Sequence, residues 1–103
     1  MKVIRELSEM ISEEIDDAEK YIRHAIECKA NDKQLANVFY DLSTQEMNHM
    51  AILHGEVARI IQEYKDKNGD PPKEMMAVYE YLHKKQIDHA AEVKAMQSMY
   101  KGL

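Results

Sequence analysis

A chain of 103 residues carries one domain's worth of sequence. With only 3 Gly, 2 Pro and 7% aromatic residues, and 45% hydrophobic residues interleaved with 32% charged ones, its composition is all-α. The net charge of -5, with no Lys/Arg stripe, argues against a nucleic-acid partner and suits traffic with cations; the single cysteine, Cys28, excludes an internal disulfide.

No apolar run approaches ~18 residues and the first segment alternates charge with hydrophobicity, so neither a membrane span nor a signal peptide is expected, and the chain reads as cytoplasmic. The spacing predicts three helices. The first covers about 3 to 30 and carries Ile4, Leu7, Ile11, Glu14, Ala18, Tyr21, Ala25 and Cys28 along one line, broadened by Ile15, Ile22 and Ile26, so that one acidic residue, Glu14, interrupts an apolar stripe. A break follows at Lys29–Gln34, where Asn31 or Asp32 can cap the next helix and Gln34 can reach back from its first turn.

The second helix, about 32 to 67, aligns Leu35, Phe39, Leu42, Leu53, Val57, Ile60 and Tyr64, with Glu46 and His49 falling between Leu42 and Leu53. Both polar side chains are therefore expected to point into the core. A carboxylate there must be neutralised, paired or bound to a cation. At Lys67–Pro72, Gly69 suits a helix end, Asp70 suits an N-cap and proline is tolerated in a first helical turn. The third helix, about 72 to 100, aligns Met75, Tyr79, Leu82, Gln86, His89, Val93, Met96 and Tyr100. Short loops make successive helices antiparallel neighbours, and stripes this wide on three helices call for a second copy to complete the core.

The pattern Glu-x-x-His occurs twice, at Glu46/His49 and Glu80/His83, against about 0.6 occurrences expected by chance. Folding the first helix back on the second brings Glu46 level with residue 16, roughly 3 Å from Glu14 along the axis at ~1.5 Å per residue. Folding the third helix back places His89, Glu92 and Val93 in or near the same layer, with Glu80 and His83 roughly 20 Å away, as a surface pair or a subunit contact.

The segment Phe39-Tyr-Asp-Leu-Ser-Thr-Gln-Glu46-Met-Asn-His49 resembles the second helix of the ferritin-like superfamily, particularly its rubrerythrin-like and encapsulated-ferritin branches. The first helix is similar to that family's first in offering a carboxylate and a tyrosine two turns later, here Glu14 and Tyr21. The likeness covers about residues 7 to 62. It departs from the family's pattern in Ser43, Thr44 and Gln45, which stand where acidic residues are usual, and in lacking a fourth helix with a second motif.

The resemblance implies a two-ion iron site, or a manganese one, shared between the subunits of a homodimer or larger homo-oligomer, and acting on O₂ or peroxide. Glu46 would bridge two metals, His49 would bind one through a ring nitrogen and Glu14 would be a terminal ligand. Tyr21, the one residue given a catalytic role, would hydrogen-bond a ligand carboxylate. His89 or Glu92 is a candidate additional donor, although their order, His then Glu, does not match the family's. The competing expectation is a metal-free helical bundle in which Glu46 and His49 form a hydrogen-bonded pair and the chain serves as an interaction module.

Overall fold

The structure is a computed structural model and describes residues 2–103. Among the described residues it is all-helical: α1 (Lys2–Cys28), α2 (Lys33–Asn68) and α3 (Lys73–Gly102). The expected all-α class and helix number are what is found, with boundaries moved by one or two residues.

The turns explain the moves. The Cys28 carbonyl accepts from both the Asn31 and Asp32 amides, at 3.1 and 2.8 Å, which ends α1 earlier than expected. Asp32 is the N-cap of α2 and its carboxylate accepts from the Leu35 amide at 3.0 Å. Gly69 closes α2 with a φ of 77°, which L side chains rarely adopt, and its amide donates to the Lys65 carbonyl at 3.0 Å. Asp70 does not cap α3. Each residue before a proline is steered to extended backbone, so Asp70 and Pro71 stay outside the helix and Pro72 takes the N-cap position with no side-chain cap.

α1 buries Ile4, Ser8, Ile11, Ile15, Ala18, Ile22 and Ala25, while Leu7, Glu14, Tyr21 and Cys28 of the expected line are half-buried at its edge. Against it α2 buries Ala36, Ser43, Met47, Val57 and Ile61. Along this seam Tyr21 meets Phe39, Ser43 donates to the Ala18 carbonyl at 2.7 Å, and Glu14 meets His49. Ascending numbers on one helix thus face descending numbers on the other. Of the expected line Leu35, Phe39, Leu42, Leu53, Val57, Ile60 and Tyr64, Val57 alone is in the buried core of α2: Leu35 is exposed and the other five are half-buried along the rim. Small residues on the neighbouring line, Ala36 and Ser43, let the helix backbones approach closely. That approach rotates the larger side chains outward.

α3 lies mainly on α1 and touches α2 at few points. Its buried residues are Gln86, Ala90, Val93 and Tyr100. Gln86, an oddity in an apolar stripe, donates to the Ser8 carbonyl and hydroxyl and to the Ser12 hydroxyl at 3.0 to 3.1 Å, so its burial is satisfied. The radius of gyration is 16.5 Å, where a compact domain of this length has about 13 Å. The accessible surface is 6825 Å², against about 6,000 Å² for a folded monomer of this mass, and Val3, Met10, Leu35, Val38, Ile52, Val78, Tyr81, Leu82 and Ile87 are among the exposed apolar side chains.

Candidate metal centre

Glu14 projects from α1 at the edge of its buried stripe, and Glu46 and His49 project from α2 one turn apart. The packing of Ala18 on Ser43 sets their level. One ligand atom from each of the three residues lies within 4.8 Å of the others. His49 Nδ1 stands 3.5 Å from Glu14 Oε2 and 3.9 Å from Glu46 Oε1. Donors around one cation at ~2.1 Å are about 3 to 4 Å apart, so small rotamer adjustments close the set.

Burial differs from the expectation. His49 is exposed, with 56% of its side chain accessible, and Glu46 is half-buried at 19%. Neither points into the core, because the buried line of α2 runs through Ser43 and Met47 and leaves Glu46 at the rim and His49 beyond it. The most enclosed donor is on α1: Glu14 Oε2 is closed off from solvent and has no hydrogen-bond partner among the described residues. A sheltered carboxylate oxygen whose nearest nitrogen, His49 Nδ1 at 3.5 Å, makes no hydrogen bond to it costs free energy, which a proton or a cation would offset.

Glu46 registers the same crowding. Its carboxyl is pushed up to about 7, first by the Glu14 carboxyl beside it, with which it can share a proton, then by burial and by the Glu14 charge, while His49 acts in the opposite sense. At neutral pH the pair of carboxyls therefore holds a proton part of the time. That proton is what a divalent cation would displace.

The remaining sequence candidates do not join this cluster. His89 Nε2 lies 2.5 Å from Glu19 Oε1 and its Nδ1 3.8 Å from Asp16 Oδ1. Counting levels along the axis placed His89 near the right layer but ignored rotation: Asp16 and Glu19 face α3, whereas Glu14 faces α2. Glu19 is held below the usual carboxylate range by the Arg23 guanidinium and by His89. Glu92 is exposed. Tyr21 stacks its ring on Phe39 at 6.3 Å, with no hydrogen bond to Glu14 or Glu46 among the described residues. His24 stacks on the same Phe39 ring, at 5.3 Å.

Two features escaped the sequence reading. Ser43, noted only as a departure from an acidic pattern, is fully buried; it donates to the Ala18 carbonyl and accepts from Gln97 at 2.9 Å. A serine on the small-residue line of α2 was the available signal. The second Glu-x-x-His splits: Glu80 is exposed, and His83 is half-buried against His54 rather than paired with Glu80. Comparison with protein-family models, with curated proteins and with solved structures finds no match to this chain.

Proposed function

We propose that this chain is a ferritin-like metal-binding protein in which Glu14, Glu46 and His49 hold iron at a centre completed by a second copy of the same chain. The observation that carries the reading is Glu14 Oε2, sheltered from solvent and without a hydrogen bond among three potential ligands within 4.8 Å. Two carboxylates and an imidazole suit iron or manganese by ligand type. Bound iron would supply electron exchange with O₂ or peroxide; the chain's own part is to present the oxygens, release the proton shared by Glu14 and Glu46, and orient His49.

Shared assembly rests on the seam around the cluster. Val3, Met10 and Leu35 are exposed, and Leu7, Leu42, Leu53 and Ile60 are only half-buried, all at helical spacings that place them on the cluster's side of an antiparallel α1–α2 pair. A two-fold partner laid on this face would cover that apolar strip and bring a second Glu14, Glu46 and His49 to the first, making six donors for two ions. No helix among the described residues is long and apolar enough to cross a membrane.

Protein purified without a metal-affinity tag and titrated anaerobically with Fe(II) tests the reading. One ion per chain and a dimer or larger assembly by light scattering are expected. A chain that retains no iron, and whose melting is unmoved by added metal, would leave the metal-free interaction module in its place.

A further inference from the structure

α3 is held unevenly along its length. In its second half Gln97 donates to Ser43, Tyr100 donates to Asn37, and Lys29 donates to the Tyr100 carbonyl at 2.6 Å. At its midpoint Gln86 and His89 reach across to α1. The first half stands between two open grooves. One, about 460 Å³, separates Ile4 and Arg5 of α1 from Met75, Val78 and Leu82; the other, about 390 Å³, separates Met50 and His54 of α2 from His83, Ile87 and Ala90. Across the second groove His54 Nε2 lies 3.2 Å from His83 Nδ1, the rings stack at 4.6 Å, and Tyr79 stacks on His83 at 5.6 Å.

Two imidazoles in this contact need one N–H and one lone pair between them, which the neutral pair has and a singly protonated pair keeps. A second proton leaves two donors facing each other with no acceptor. The grooves give no relief: the charged side chains lining them are Lys2 and Arg5 of α1 and Lys94 of α3, Tyr79 is neutral, α2 adds only His54, neither groove is lined by a carboxylate, and Glu80, one turn before His83, is exposed to solvent. We propose that His54 and His83 form a proton-sensitive latch that holds the first half of α3 on α2 at neutral pH and releases it, with Gln86 as the hinge, once both rings are protonated.

The direction of titration agrees with the geometry. Burial, then the neighbouring His54, holds His83 below the ordinary histidine range. A histidine lowered in the folded state contributes fully above its unfolded value near 6.5 and loses that contribution as pH falls below it. Release therefore belongs to mildly acidic conditions. It is independent of the metal centre, whose residues lie on the opposite side of the α1–α2 pair.

Backbone hydrogen exchange of the full chain tests the latch, with amides of residues 78–85 referenced to amides of residues 93–100 in the same helix, so that the intrinsic pH dependence cancels. The ratio of protection should fall about tenfold or more between pH 7.5 and 5.0 in the wild type. His83→Gln still bonds to His54 but takes up no proton, and its ratio should stay flat. An equal fall in His83→Gln, or a flat wild-type ratio, overturns the proposal. Should His83→Gln not fold, His54→Gln makes the same test from the other side.

Discussion

Glu46-x-x-His49 and Glu80-x-x-His83 are the same four-residue pattern on two helices of one bundle, and their surroundings give them different chemistry. Across from the first stands a carboxylate: Glu14 crowds Glu46 until its carboxyl titrates near 7 and leaves an oxygen without a donor. Across from the second stands an imidazole: His83 turns to His54 while Glu80 remains in solvent. A pair of carboxylates accumulates negative charge that invites a cation. A pair of imidazoles accumulates positive charge as protons arrive, and is driven apart. The pattern in the sequence positions two side chains one turn apart, and the facing helix decides what they do.

The largest test of this contrast is metal affinity. Glu46→Ala and His49→Ala each remove one of three donors and should weaken Fe(II) binding by about 100-fold, while Glu80→Ala and His83→Ala should leave it unchanged in calorimetric titrations. Equal losses from both pairs would erase the distinction. In the wild type the affinity should also decline as pH falls below about 7, where the shared proton competes.

Next in size is the scaffold that sets the first cluster's level. Ser43→Ala removes the hydrogen bonds to the Ala18 carbonyl and from Gln97 and should cost about 1 to 2 kcal/mol, lowering the melting temperature by roughly 5 to 10 °C. Preserved stability would mean that helix approach, rather than the hydroxyl, fixes the seam.

Glu46→Gln should move stability the other way. A carboxyl raised in the folded state costs stability when ionised, so the metal-free wild type gains stability as pH falls from above 7 toward 4.5. Glutamine has no such charge. The variant should melt about 5 °C higher than wild type at pH 8, a gain of about 1 kcal/mol, and the gap should close by pH 5. A lower melting temperature at pH 8 would show that the carboxyls are not in conflict. The smallest effect is expected at Arg59, which pairs with Glu56 and Glu63 on an exposed face; Arg59→Ala should change stability by under about 0.5 kcal/mol in denaturant titrations.

Helical periodicity and turn chemistry were readable because they are local. Asp32 as a cap and Gly69 as a helix end follow from residue type, and an axial rise of ~1.5 Å per residue was enough to bring Glu14 level with Glu46 and His49. Rotation about the axis was not readable in the same way. α2 carries two adjacent apolar lines, and which one packs depends on how closely Ala36 and Ser43 admit α1, a property of two helices together. Rotation accounts for both departures at the site: that of α2 leaves His49 outside the core, and that of α1 turns Asp16 and Glu19 toward α3, where His89 pairs with Glu19 instead of joining the cluster. The His54–His83 contact was unreadable for the same reason, since no spacing within either helix encodes it.

The molecule measures 56 × 19 × 18 Å, and this rod shape gives assembly a hydrodynamic signature. A rod of this proportion drags more solvent per unit mass than a sphere, so the lone chain should diffuse slowly for its size. Two rods joined along their flanks thicken without lengthening, and friction per chain drops. Two joined at their tips double the long axis, and the frictional ratio climbs instead of falling. Sedimentation velocity therefore reports which surface two copies share from the sign of the change in frictional ratio, without reference to any bound ion.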